Sequence, residues 1–331
     1  MANVAHPFSP KEWKVAVVSD ATNAGATGIG STMYQLDVDS VCMPSLNPTQ
    51  ALDVRSGIGR TLKDKDVFQD GVLRAVEIGL SGTLHNDAGH KLLLQNICND
   101  VAGDVAVASG FTAASQVYAA AVTNAASSLT LVLQPSDVTN QQGLEMFGCV
   151  VTNFSISADA TTEGGRYKWA ATLQTGKKPD LASEAEPTIT AYANTNIPLM
   201  SNATDIRISD VSHPVLNSFT ATIDSPAVFT GVTTTGYSVV SRGAEIAVTV
   251  DGQVKYDGLT KGFISEFDTQ TGANTAGNMF KMVNNNAYGI LVTSGLFTNV
   301  ALSEGDVMML DCSIKAIDDG SSDLISFDLT A

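Results

Sequence analysis

The feature that most constrains this chain is that its two halves carry the same spacing. From Gly82 the sequence reads GTLHNDAGHK, and from Gly252 it reads GQVKYDGLTK. Gly82, Asp87 and Lys91 therefore stand opposite Gly252, Asp257 and Lys261 without a gap. Apolar residues follow in register, Leu93, Leu94 and Ile97 against Phe263, Ile264 and Phe267. Upstream, Glu77-Ile78 meets Glu245-Ile246 across a two-residue gap. Downstream, GCVVTNFSISA from Gly148 matches GDVMMLDCSIKA from Gly305, which aligns Ser155, Ile156 and Ala158 with Ser313, Ile314 and Ala316. Three blocks recur in one order, and the period is too long for a solenoid unit. The pattern implies two tandem copies of a whole domain.

A chain of 331 residues has room for two such domains, each long enough to bury its own core. The expected division is an N-terminal arm over 1–29, a first domain over 30–175, a linker over 176–200 and a second domain over 201–331. The arm holds one short strand, Lys14 to Val18, and the linker is marked by the charged, Pro-punctuated stretch GKKPDLASEAEP. Within each copy the apolar residues recur with period two, as in Val76-Ile78-Leu80, Leu129-Leu131-Leu133, Phe154-Ile156-Ala158, Phe219-Ala221-Ile223 and Ile246-Val248-Val250. Such alternation makes strands with one buried face. Polar, turn-forming clusters such as Thr161 to Gly165 and Asp318 to Ser322 separate the runs. One helix interrupts the pattern in each copy. Asp87 is placed to cap the first and Asp257 the second, and the matched apolar triplets pack each helix onto its sheet. The fold class is mainly β, of sandwich or barrel type, with one flanking helix per copy.

The chemistry of catalysis is missing from the pattern. No nucleophile elbow, P-loop, HExxH or dinucleotide fingerprint occurs, and no enzyme activity or cofactor is expected. His85, Asp87 and His90 have spacing that suggests a metal site. Their counterparts Lys255, Asp257 and Thr260 retain only the aspartate, which favours a helix cap over a metal ligand. His6 and His213 read as surface or turn residues. The four cysteines, Cys42, Cys98, Cys149 and Cys312, form no CxxC pair and are expected as free buried thiols of a reducing compartment. No run approaches the ~20 continuous apolar residues of a membrane span, and the opening MANVAHPFSPKEWK lacks a secretory pattern. Lys and Arg number 18 against 34 Asp and Glu, giving a net charge of −16. So acidic a surface repels the phosphate backbone and argues against tight nucleic-acid binding.

Four passages carry a resemblance to a known family. STMYQLDVDSVCMPSLNPTQALDVRSGIGRT resembles that family's opening strands and loop, and SGTLHNDAGHKLLLQNICND its strand-to-helix passage. GCVVTNFSISADATTEGGRYKWAATLQTG resembles its closing hairpin, and RGAEIAVTVDGQVKYDGLTKGF repeats the middle passage. The chain is similar in these respects to bacteriophage major tail tube proteins. The resemblance implies six β domains arranged in a ring. A chain with two copies needs three molecules to fill six places, so a trimeric ring with pseudo-six-fold symmetry, stacked head-to-tail, is expected. It further implies location in the virion tail, assembly in the host cytoplasm, contacts with tail completion, terminator and tail-tip proteins, and transient passage of double-stranded DNA without sequence recognition. No membrane partner is implied. The long loop between Thr49 and Asp70 holds Arg55, Arg60, Lys63 and Lys65, and it is the candidate ring-to-ring contact. The sequence names no channel-lining residues. Another tail component, a sheath or baseplate protein, stands as the alternative, because related domains recur across tail machinery. A secreted β-sandwich binding module is disfavoured by an aromatic share of 6%.

Overall fold

In the computed structural model the described residues are 12–20, 32–41, 50–52, 67–69, 76–85, 87–98, 112–113, 128–135, 143–177, 179–182, 188–192, 197–230, 239–241, 246–274, 277–284, 288–318 and 324–328. The protein is mainly β. The first half runs through β1 (Lys14–Asp20), β2 (Met33–Leu36), β3 (Ser40–Val41), β4 (Gln50–Leu52), β5 (Val67–Gln69) and β6 (Val76–Thr83) to helix α1 (Ala88–Ile97). It continues with β7 (Thr112–Ala113), β8 (Ser128–Gln134), β9 (Gly143–Asp159), β10 (Lys168–Thr175) and β11 (Asp180–Ala182), and β12 (Ile189–Thr190) follows. The second half contributes β13 (Ala203–Ile208), β14 (Val211–Ser212), β15 (Leu216–Asp224), β16 (Val228–Thr230), β17 (Val239–Ser241) and β18 (Ala247–Lys255). Helix α2 (Gly262–Thr269) precedes β19 (Phe280–Asn284), β20 (Tyr288–Val292), β21 (Gly295–Ser303), β22 (Met309–Ala316) and β23 (Ser326–Asp328).

Alternation in the sequence becomes alternation in burial. Along β10, Trp169, Ala171 and Leu173 are buried while Lys168, Ala170 and Thr172 are half-buried on the other face. The same holds along β22, where Leu310, Cys312 and Ile314 point inward. The inward residues of both halves belong to one continuous apolar core.

Strand pairing follows one scheme in the two halves. Strands β3, β6, β10 and β9 lie side by side in that order, and so do β15, β18, β22 and β21. In each set the second strand leads to the helix, and the last two are a hairpin, β9–β10 or β21–β22, entered in reverse. The flanking strands correspond as well. β1 pairs with β2 and β8, as β13 pairs with β14 and β19. β8 then pairs with the first part of β9, and β11 joins the same part, as β19 pairs with β20 and β23 joins β20. The short hairpins β4–β5 and β16–β17 complete the parallel. The two sets are joined through β9 and β15, which pair antiparallel over seven residues from Ser218↔Asp159 to Asp224↔Asn153.

Three expectations need correction. The passages opening at Gly148 and Gly305 match in sequence but fall on β9 and β22, which hold different places in the scheme. By pairing, β9 corresponds to β20 and β21, and β22 to β10. Both arms of a hairpin alternate small and apolar residues, so one arm imitates the other. The second correction concerns Asp257. It does not cap α2 directly. Its Oδ1 accepts from the backbone N–H of Leu259 at 2.9 Å and opens a turn that precedes the helix. Asp87 does cap α1, accepting from His90 N–H at 3.0 Å. The third concerns helix packing: Leu93, Leu94 and Ile97 are all buried, but of their matched residues only Phe263 is, against Phe297, while Ile264 and Phe267 are 36% and 37% exposed. Finally, the strand expected at Lys14 to Val18 lies inside a sheet between β2 and β8, with Val15, Ala16 and Val17 buried. Cys98, Cys149 and Cys312 are buried thiols outside any disulfide, and burial pushes Cys312 up to about 12. Cys42 lies outside the described residues.

Candidate functional site

The strands β3, β6, β10, β9, β15, β18, β22 and β21 form a single antiparallel surface whose outer face is polar. Its rows are set by register: Ser157 faces Thr220, Thr220 faces Asp251, and Asp251 faces Ser313. Ser313 Oγ donates to Asp251 Oδ1 at 2.6 Å, Gln253 Nε2 to Asp311 Oδ1 at 2.8 Å, and Asn217 Nδ2 to Gln253 Oε1 at 2.8 Å. These cross-strand bonds hold short side chains flat against the sheet. The face carries Glu77, Asp159, Asp224, Asp251 and Asp311 against Lys168, Lys255 and Lys315. Lys168 is partly neutralised by Glu163, 2.9 Å away. A shallow depression of about 420 Å³ lies on this face, lined by Ser157, Asp159, Lys168 and Thr220 among others. The face can lie beside a long polyanion without a cluster of cations to hold it.

The edges of this surface differ from its middle. Among the described strands β21 pairs with β22 alone and β3 with β6 alone, although the start of β21 is covered by an antiparallel bridge between Gly295 and Asn274. Leu302 on β21 is 48% exposed. Its counterpart by pairing is Ala158 on β9, which is 5% exposed because β15 and Phe219 lie against it. Leu302 is thus an inward-type position left without its cover. Sequence reasoning missed it, because exposure at a strand edge depends on which strand comes next.

A second constellation sits where β6 turns into α1. His85 Nε2 lies 2.7 Å from Asp37 Oδ2, and His90 Nδ1 lies 2.8 Å from Asp87 Oδ1. The two imidazoles are buried with ring centroids 5.9 Å apart; Tyr192 packs on His85 and the edge of Trp169 meets His90. Trp169 Nε1 donates to the Asp37 carbonyl at 3.2 Å. The hydrogen bond from His85 holds the Asp37 carboxyl below its ordinary range, against the burial that pushes it up. His90 Nε2 and Asp87 Oδ2 are buried without a hydrogen-bond partner. Among the described residues no group of three or more His, Cys, Asp and Glu is arranged to hold a metal ion. The second half solves the same turn with one residue: Thr260 Oγ1 accepts from Asp257 N–H at 3.0 Å and donates to the Lys255 carbonyl at 2.8 Å. The spacing pointed to His85, Asp87 and His90. Asp37 and Tyr192, distant in sequence, gave no signal.

The matched glycines face different neighbours, Gly82 the Asp37–Val38 connection between β2 and β3 and Gly252 the strand β15. A side chain on Gly82 would collide with the Asp37 carbonyl, whereas one on Gly252 would meet Leu216 Cδ1 at an ordinary 3.7 Å. Lys91 and Lys261 agree in their backbone, each N–H donating to the carbonyl of its aspartate at 3.1 and 3.0 Å. Lys261 is exposed and Lys91 half-buried, and nothing in the structure explains why both are lysine. Arg55, Arg60, Lys63 and Lys65 lie outside the described residues. No model of a known protein family matches the chain, and no curated protein matches it in sequence.

Proposed function

We propose that this protein is a structural subunit of a phage tail tube, assembled from trimeric rings in which each chain supplies two quasi-equivalent units made by internal duplication. The observation that supports this best is the joint between β9 and β15. It couples the last strand of one four-strand set to the first strand of the next. The counterparts left over in the chain are β21 and β3. Repeating the internal joint between molecules brings β21 of one copy against β3 of the next. The set holds eight strands, an even number, so β21 runs opposite to β3 and the new joint is antiparallel like the internal one. Three chains then close a barrel of 24 strands, wide enough to leave an open channel. Closure removes both free edges, which are an aggregation hazard in an isolated chain. The polar, acid-rich face becomes the channel wall, repelling DNA phosphates instead of binding them.

Negative-stain microscopy together with sedimentation of the purified chain tests the reading. Rings and hollow tubes are expected, and Leu302→Lys, at an exposed position that leaves the fold intact, is expected to yield folded monomers. A monodisperse monomer at high concentration, or tubes unaffected by that substitution, would overturn it.

A further inference from the structure

In the first half, the turn of the β9–β10 hairpin is covered by the stretch that leads into β13. Met200 N–H donates to the Gly165 carbonyl at 2.8 Å, Tyr167 N–H donates to the Pro198 carbonyl at 3.2 Å, and Leu199 and Arg166 form an antiparallel bridge. Asn284 Nδ2 anchors the stretch through the Leu199 carbonyl at 2.7 Å, and Met200 lies over Gly165. The cover belongs to one half and the covered turn to the other, so this contact accompanies the β9–β15 joint.

Among the described residues the equivalent turn of the β21–β22 hairpin has no such cover. Val307 is 55% and Met308 44% exposed. Leu302, Val215 and Leu259 lie at the same end of the sheet and are exposed too, since Met308 accepts from Tyr256 N–H and Val215 from Lys255 N–H. A cluster of this kind on a charged protein marks a contact surface.

We infer that the stretch Pro7-Phe8-Ser9-Pro10, which leads into β1, docks on the β21–β22 turn of a neighbouring copy. β1 corresponds by pairing to β13, so the residues that precede β1 in the sequence are the counterparts of Ile197 to Met200, which precede β13. The sequences agree in kind: His6-Pro7-Phe8 matches Ile197-Pro198-Leu199 in placing a large apolar residue after a proline. Charge agrees as well, since Lys11 follows the stretch and Glu304 and Asp306 flank the turn. When β21 of one copy meets β3 of the next, the neighbour's β1 and its leading stretch come to the second half just as β13 and its leading stretch come to the first. The occupant is thus a second copy of this chain, and the inference rests on the ring reading.

The test uses the full chain with Phe8→Cys and Val307→Cys together, in a background where Cys42 is replaced by serine, oxidised and run on a non-reducing gel. Chains linked into dimers and trimers are expected, with neither single-cysteine variant giving them. Disulfides confined within single chains, or none at all while rings and tubes still form, overturn the docking and leave the ring reading standing. An unsubstituted chain that never assembles removes both. As a second measurement, Phe8→Asp and Met308→Asp should each raise the concentration at which assembly begins by about tenfold or more, from loss of one apolar contact, with an unchanged melting curve. An unchanged onset with either overturns the inference.

Discussion

At the scale of single residues, the duplicated spacing is most useful where the two copies disagree. Gly82 and Gly252 share a position, but only Gly82 is pressed against backbone. Gly82→Ala should therefore destabilise the fold by about 2 kcal/mol or more, because the colliding atom is a carbonyl that cannot swing away, while Gly252→Ala should change it by less than about 1 kcal/mol. Chemical denaturation of the two variants checks this, and equal losses would refute the distinction. The histidine pair follows the same logic. Thr260 shows that the turn needs only one hydroxyl, whereas the first half spends two buried imidazoles and two carboxylates on it. Spacing alone shows that His85 and His90 are near each other; it cannot show that Asp37 and Tyr192 join them, because those contacts depend on tertiary packing.

At the scale of elements, strands were legible and their neighbours were not. Val76-Ile78-Leu80 and Phe219-Ala221-Ile223 announce one buried face each, and those residues are buried or nearly so. Which strand lies beside which is a non-local property, and the Gly148 and Gly305 passages illustrate the consequence: matched letters fell on opposite arms of a hairpin. The helices carry a similar lesson. Leu94 and Ile264 match in sequence, yet α1 lies over β1, β2 and β9, while the main contact of α2 is β21. Leu94→Ala should cost about 2–5 kcal/mol through the cavity it leaves. Phe267→Ala, at a 37% exposed position, should cost less than about 1 kcal/mol in the isolated chain. Thermal melts of both variants, measured below the assembly threshold, give the comparison; a large loss from Phe267→Ala would mean the helix face is covered after all.

At the scale of the whole molecule, net charge and sheet edges act against each other. Each chain carries −16, so bringing three together into the proposed ring is opposed by like-charge repulsion that salt screens. In the proposed ring, contacts at the edges and the apolar turn favour association regardless of salt. Raising ionic strength from about 0.01 M to 0.15 M, which shortens the Debye length from about 30 Å to 8 Å, should therefore lower the concentration at which assembly begins. Sedimentation across a salt series measures it, and a rise in that concentration would indicate that attractive ion pairs hold the copies together. The charge was plain in the sequence. The joint on which the proposed assembly is patterned was not, because β9 and β15 are far apart in the chain and nothing in either strand names the other.

That joint also has a kinetic consequence. A ring of six separate units forms by a process of high molecularity, and each incoming unit loses its own translational and rotational freedom. Covalent linkage has already made three of the six encounters intramolecular, one in each chain, where β9 and β15 meet at a fixed local concentration whatever the bulk dilution. Closure of the proposed ring then depends on roughly the third power of concentration instead of the sixth, and the entropic cost of association falls on three bodies. Ring formation would remain efficient at dilutions where detached halves of the same chain would stay apart.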